Sequence, residues 1–384
     1  MSNKVSLSAL QLLIVRFLGC NLSPLLFALY ISALGDKLNK SGLGIELLGV
    51  VICAIFFADD IVLIARTKED LKTLIAIAEE FCVKVRLEIS QEKSKIMTYD
   101  AATGKMRCSQ DTHTQSLELE QVLMFKYLGL PISAAPYSLF RAFNENVKKK
   151  ATTYLTSVLS LVKAGPDRSD LAYTLWTRCA VPSILYGCEV LPINQMTLRE
   201  VEKCQNVVAK FMLQLPRSSA NVSSGLDAGL KPIWSIVAEK TLIYANRLMR
   251  RDNDYWPKKA FLYHLSLQDS SYCKYLQHWK RVTGSYGVEE PRIKAAVHRA
   301  AIINTLDEQR RTSVTTFAMN PPTLRARWFK PKPWICDSPF SKVIAEFRSC
   351  NLGLGNRGPT KDGRFFKLCP LCQPPSLNNE VIEH

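Results

Sequence analysis

The chain alternates between stretches of two different periods. Val50–Phe57 and Ile61–Ile64 are almost unbroken runs of β-branched and aromatic residues, which predict strands buried on both faces. They flank Asp59 and Asp60 in "IFFADDIVLIA" (55–65), so the two aspartates are expected to occupy a tight connection. Asp-Asp lacks the glycine that favoured two-residue hairpin turns use, so turn chemistry alone does not explain the pair. Before this hairpin, "NLSPLLFALYISALGDKL" (21–38) reads as a loop feeding a helix. Ser23 and Pro24 suit its cap and first turn, and Leu25, Leu26, Leu29, Ile31 and Leu34 form an apolar face. After it, "TKEDLKTLIAIAEEFC" predicts a helix opened by Thr67 and Asp70 in the pattern of a capping box. Leu71, Leu74, Ile75, Ala78 and Phe81 or Cys82 share one face. "VRLEISQEKSKIM" alternates briefly, as a strand and turn. The fold class is therefore α+β from Asn21 to Met97.

Further along, 98–120 is polar and reads as a loop, and "VLMFKYLGLPIS" (122–133) as strand, turn and strand with Gly129 and Pro131 as punctuation. From Ser138 the periodicity becomes helical, through 170–192, Thr197–Gln205, Pro232–Arg251 and about Glu290–Arg311. From Thr312 proline, glycine and basic residues increase, and no acid appears until Asp337. The expected organisation is four segments, 1–120, 121–220, 221–311 and 312–384.

Charge changes the picture. The 384 residues carry a net charge of +16. Such an excess of Lys and Arg points to a polyanionic partner, nucleic acid first, since binding phosphates releases counterions. In the tail, Arg325, Arg327, Trp328, Lys330 and Lys332 interleave cations with aromatics, as single-strand-binding surfaces do; a solvated basic loop is the competing reading. The twelve cysteines lack the spacing of a small disulfide framework. That fits reduced thiols in an intracellular protein, the nucleus included. Leu47–Ala65 has the length of a membrane span, but each ionised Asp near a bilayer centre costs about 2.5–3.5 kcal/mol, so no membrane is expected.

Two candidate metal sites follow from residue type. Adjacent carboxylates on a rigid hairpin suit Mg²⁺, which takes one or two protein carboxylates together with water and substrate phosphates. That is the layout of two-metal phosphoryl transfer, with Asp59 and Asp60 as the ligands. At the C-terminus, Cys369, Cys372 and His384 have the spacing of zinc ligands but lack a fourth, for which Cys350 is a candidate; two unligated thiols are the plainer reading.

The order of these motifs resembles the reverse transcriptase of non-LTR (LINE-type) retrotransposons. Gly19–Phe27 is similar to the second part of the family's R-Q-G-C-x-L-S-P-L-L-F motif. Phe57–Asp60 is its F-A-D-D, Lys93 falls at its following lysine motif, and Tyr127–Gly129 is its Y-L-G primer grip, preceded by Phe125. The tail resembles a zinc knuckle that lacks its last cysteine. The resemblance implies a partial polymerase palm, with an antiparallel hairpin and packed helices. A mostly helical thumb or connection region and an irregular basic tail would follow.

It also implies roles. Asp59, Asp60 and Lys93 would be catalytic, and Gly19, Ser23 and Pro24 would contact nucleotide or template. Phe125, Tyr127, Leu128 and Gly129 would hold the primer. Mg²⁺ and, at the tail, Zn²⁺ are the implied cofactors; RNA template, DNA primer and nucleoside triphosphate are the implied partners. Lys93 also reads as a solvated turn charge, and 124–133 as an ordinary packed hairpin. The chain departs from the family in two ways. Leu18 stands where a glutamine is expected, and Met1–Gly19 contains no Asp or Glu that could serve as the family's earlier metal-binding aspartate. The expectation is a fragment truncated at both ends and inactive alone. The alternatives are a non-catalytic nucleic-acid-binding protein and a decayed transposon remnant.

Overall fold

The structure is a computed structural model and describes residues 23–98, 119–133, 136–163, 168–219, 221–267, 270–284 and 289–311. The expected tail contacts (Arg325, Arg327, Trp328, Lys330, Lys332), the expected zinc ligands (Cys369, Cys372, His384) and Gly19 lie outside the described residues. The chain divides into two compact units between Pro136 and Tyr137.

The first unit opens with helix α1 (Ser23–Lys40). A short hairpin follows, β1 (Ile45–Leu47) with β2 (Val50–Ile52), turning at Leu48 and Gly49, both at positive φ. A second hairpin pairs β3 (Ala54–Phe57) with β4 (Asp60–Leu63). Gly44 makes the entry to these strands possible. Its φ is 139°, and a Cβ there would lie 2.5 Å from the Ile52 carbonyl oxygen. Helix α2 (Lys68–Val85) starts as the sequence predicts, with the Thr67 hydroxyl accepting from the Asp70 N–H at 3.0 Å. It ends on Arg86 in the left-handed region, whose N–H returns to the last turn. Leu74, Ala78, Phe81 and Val85 of α2 meet Tyr30, Ile31, Leu34 and Leu38 of α1, with Cys53 between them. The Tyr30 hydroxyl donates to the Val85 carbonyl at 2.7 Å and ties the two helices across the core.

The apolar pattern misleads in three places here. The buried face of α1 is Tyr30, Ile31, Leu34 and Leu38, while Leu25 and Leu29 are 58% and 61% exposed, so the predicted face was rotated. The run 50–57 is not one strand buried on both faces. It breaks at Cys53 into two strands in separate hairpins. In β3, Phe56 packs on the helices while Ile55 and Phe57 are exposed, the ordinary alternation of a half-buried strand. Third, "VRLEISQEKSKIM" yields only β5 (Lys95–Ile96), which pairs in parallel with β6 (Glu120–Gln121). A third hairpin, β7 (Met124–Tyr127) with β8 (Leu130–Ser133), matches the predicted strand-turn-strand.

The second unit is helical. Helix α3 (Pro136–Lys163) buries Phe143, Val147, Ala151, Val158 and Val162, a stripe at the helical period. Asn144, also buried, donates to the Pro192 carbonyl and accepts from the Asn194 N–H. The next helix begins as α4 (Arg168–Thr174), widens into a π-helical turn at Leu175–Ala180 and continues as α5 (Val181–Ile184). Pro182 accounts for the widened turn: it has no N–H, and its ring would collide with the carbonyl four residues back in a regular helix.

Then come α6 (Gln195–Met212), α7 (Asn221–Asp227), α8 (Ile233–Met249), α9 (Trp256–Ser266), α10 (Ser271–Thr283) and α11 (Glu290–Arg311). Helix α8 packs against α6, α9, α10 and α11. The sequence pattern does not predict α7, α9 and α10. Among the described residues no helix is long and apolar enough to cross a membrane.

Candidate active site

The β3–β4 hairpin fixes the two aspartates by register. Ala54 faces Leu63, Ile55 faces Val62, Phe56 faces Ile61 and Phe57 faces Asp60. The two-residue turn is therefore Ala58–Asp59, not Asp59–Asp60. Asp60 is the first residue of β4, paired with Phe57, which corrects the expectation that both aspartates form the connection. Ala58 takes the left-handed conformation, φ 51°. A favoured turn would place glycine there, and a residue with a Cβ costs about 1 kcal/mol. The inward side chains Phe56, Ile61 and Leu63 anchor the hairpin on the α1–α2 core, and the Ile64 N–H extends the ladder to the Cys53 carbonyl at 2.7 Å. Both aspartates are exposed. Neither forms an ion pair with a lysine or arginine among the described residues.

The third hairpin brings a phenol to this place. Tyr127 ends β7, and its turn, Leu128 (φ 47°) and Gly129 (φ 79°), has positive φ at both central residues, the primed geometry that matches strand twist. The Tyr127 hydroxyl is buried and has no hydrogen-bond partner among the described residues. Burial raises its pKa first, and the nearby Asp60 carboxylate raises it further. Asp60 and Tyr127, 67 positions apart in the chain, thus share one electrostatic environment. Phe125 lies half-buried opposite Ile132. Neither Asp60's closeness to Tyr127 nor the role of Ala58 was visible in the sequence.

The remaining expected residues are less tightly connected. Ser23 and Pro24 open α1. Lys93 sits exposed in the turn 91–93, and no hydrogen bond or ion pair links it to Asp59 or Asp60. Among the described residues no group of three or more His, Cys, Asp or Glu side chains could hold a metal. The aspartate pair nevertheless has the donor chemistry of a Mg²⁺ site: hard carboxylate oxygens, exposed, with no lysine or arginine ion-paired to them among the described residues. Such a pair leaves most coordination positions to water and substrate, as Mg²⁺ prefers.

Sequence reasoning missed a second feature, a cavity of about 550 Å³ in the helical unit. Glu202 lines it and caps a helix. Its carboxylate accepts from the N–H of Ile233, the first residue of α8, at 2.7 Å. Its other oxygen accepts from the Gln205 amide at 3.2 Å. Gln205, fully buried, also donates to the Lys231 carbonyl and accepts from the Trp176 indole N–H. Burial pushes the Glu202 carboxyl up to about 7 against the effect of its two hydrogen bonds. The signal was present: Leu198, Val201, Gln205, Val208, Ala209 and Met212 form the buried stripe of α6, and Glu202 falls within it.

No curated protein and no solved structure matches the chain. One family does match: residues 11–132, the stretch that includes α1, α2 and the first two hairpins and runs to Ile132 in the third, are similar to the reverse transcriptase (RNA-dependent DNA polymerase) family.

Proposed function

We propose that the first unit is the metal-binding part of a reverse transcriptase palm of the non-LTR retrotransposon type, and that this chain binds primer and template without extending them by itself. One observation carries the reading. A hairpin holds two exposed, uncompensated carboxylates at its turn, next to Tyr127 of a second hairpin, inside the segment that matches the family. Asp59, in the turn, is the direct metal ligand, and Asp60 supports it from the first position of β4. Mg²⁺, when bound, would supply Lewis-acid activation of the primer hydroxyl and charge stabilisation of the leaving pyrophosphate. Tyr127, Leu128 and Gly129 hold the primer end through a turn whose backbone is fixed by its positive φ values. Lys93 is a solvated turn charge in this reading unless nucleotide binding moves its turn. The basic tail adds phosphate contacts, Cys369, Cys372 and His384 take Zn²⁺ with a fourth ligand, and the protein works in the nucleus.

Extension is expected to fail because preorganised charge at the reacting phosphate is incomplete. Among the described residues no third His, Cys, Asp or Glu joins the aspartate pair in a metal-holding group, and losing such charge costs orders of magnitude in rate. With purified protein, Mg²⁺, an RNA template and a DNA primer, the expected result is tight binding without extension. Binding should weaken steeply with salt, because each neutralised phosphate adds about 0.9 to the slope of log K against log salt. Extension that disappears in Asp59→Ala, Asp60→Ala would contradict the inactive part of the proposal and support its catalytic part.

A further inference from the structure

We infer that the helical unit carries a base-binding pocket: the cavity between α6, α7, α8, α10 and α11 takes a single unstacked nucleobase. The inference rests on the reading of this chain as one that handles nucleic acid, but not on the aspartate hairpin. Three features of the cavity support it.

First, its aromatic wall is flat. The Trp234 and Trp279 rings lie 11° from parallel with centroids 6.4 Å apart, and the His278 ring meets Trp279 edge-on at 4.7 Å. Trp279 is 2% exposed and held in the core, whereas Trp234 is only half-buried and open to a ligand. Flat indole faces are sequence-tolerant platforms for bases.

Second, the polar lining is rich in primary amides. Gln195, Asn206, Asn221 and Asn304 surround the opening. Each amide offers both a donor and an acceptor, the pair needed to match the edge of a base. Gln195 already meets the His278 ring nitrogen at 3.5 Å, and Asn206 is the least exposed of the four amides.

Third, the charge suits a base attached to a phosphate. Arg199 stands exposed at the rim, and the chain as a whole carries +16. Of the two carboxylates in the lining, Glu202 is occupied by the Ile233 N–H and Gln205 and shapes the cavity, while Glu308 stands exposed on α11. The volume, about 550 Å³, lies in the range of small-molecule sites and leaves room for a sugar with the base. Both a base splayed from a single strand and a free nucleotide have this chemistry.

The test is fluorescence anisotropy with the full chain and three probes. These are a labelled single-stranded hexaribonucleotide, the same sugar–phosphate backbone without bases, and labelled mononucleotides. The variants are Trp234→Leu, Asn221→Ala and Arg199→Ala, with Trp234→Phe keeping an aromatic face in case Leu disturbs the fold. Val83→Ser, at an exposed position of α2 that belongs to neither site, is the control. We expect removal of the bases to weaken wild-type binding about tenfold or more, in line with the stacking of one or two bases.

Trp234→Leu should weaken hexamer binding similarly and become nearly insensitive to base removal, while Trp234→Phe and the Val83→Ser control stay near wild type. Mononucleotides bound with the same variant pattern would make a free nucleotide the source; mononucleotides ignored would make it a single strand. Either supports the pocket. Equal binding of intact and base-free backbones overturns the pocket while leaving nucleic-acid binding intact. Binding of neither backbone overturns both readings. Neutral saccharides competing at the site would also overturn the inference.

Discussion

Trp176→Ala is expected to destabilise the helical unit by about 4 kcal/mol, which is a large part of a typical domain's 5–15 kcal/mol. Trp176 is fully buried in the π-helical turn and is one of the largest side chains in the core. Truncating it removes the indole's burial and leaves a cavity that rigid helices refill only in part. It also removes the donor to Gln205, whose carbonyl oxygen is then stranded in the core. Urea unfolding followed by far-UV circular dichroism measures the loss without relying on tryptophan emission. Trp176→Phe separates the two causes. It keeps most of the ring but not the N–H, and should cost about 1–3 kcal/mol. If Ala and Phe cost the same, packing is not what Trp176 contributes.

Glu202→Gln should stabilise the protein above neutral pH and do little near pH 5. In the folded state the carboxyl is held up to about 7, above its unfolded value near 4.3. The folded state therefore binds the proton more tightly. That contribution to stability is complete below the unfolded value and is lost as pH rises through about 7. The difference corresponds to something on the order of 3–4 kcal/mol at pH 8.

The surrounding groups shape the curve. Glu308 on α11 raises the Glu202 pKa further, whereas the Ile233 N–H and Gln205 on the other side lower it. His278 on α10 has its own pKa lowered by burial and by Arg281. Its contribution runs the opposite way, being present at high pH and lost on acidification. Comparing Glu202→Gln with wild type removes the His278 contribution, since both proteins carry it. The expected result is a melting temperature that falls from pH 6 to pH 8 in wild type and falls less in the variant. Parallel curves would mean that Glu202 is ionised throughout, held by its helix-capping bond.

Local chemistry was legible in the sequence where one residue type decided one interaction. Thr67 as the cap of α2 and Gly129 in the β7–β8 turn are of that kind, because capping and positive φ are set within a few residues. What could not be read was set by contacts far apart in the chain. The unbroken apolar run 50–57 looks the same whether one strand is buried on both faces or two short strands each expose one. Cys53, buried between α1 and α2, breaks it, and those helices are fixed by Tyr30 and Val85, 55 positions apart.

The aspartate pair was visible as a motif, but its register was not: Ala58 takes the strained turn position, so Asp60 leads β4 beside Tyr127. The base pocket is the extreme case. Its residues come from five helices, two of which, α7 and α10, the periodicity did not reveal. Glu202 and Gln205 are polar positions in an apolar stripe, and only the tertiary structure shows what they face.

The central claim is that Asp59 and Asp60 form a divalent-cation site. Mn²⁺ is the most direct probe, since it takes oxygen ligands as Mg²⁺ does and its free-ion electron paramagnetic resonance signal falls as it binds. Titration of the full chain should reveal sites that compete with Mg²⁺, and Asp59→Asn, Asp60→Asn should lose them without a change in circular dichroism. An undiminished Mn²⁺ titration in that variant would place the metal elsewhere and remove the chemical basis of the proposed palm.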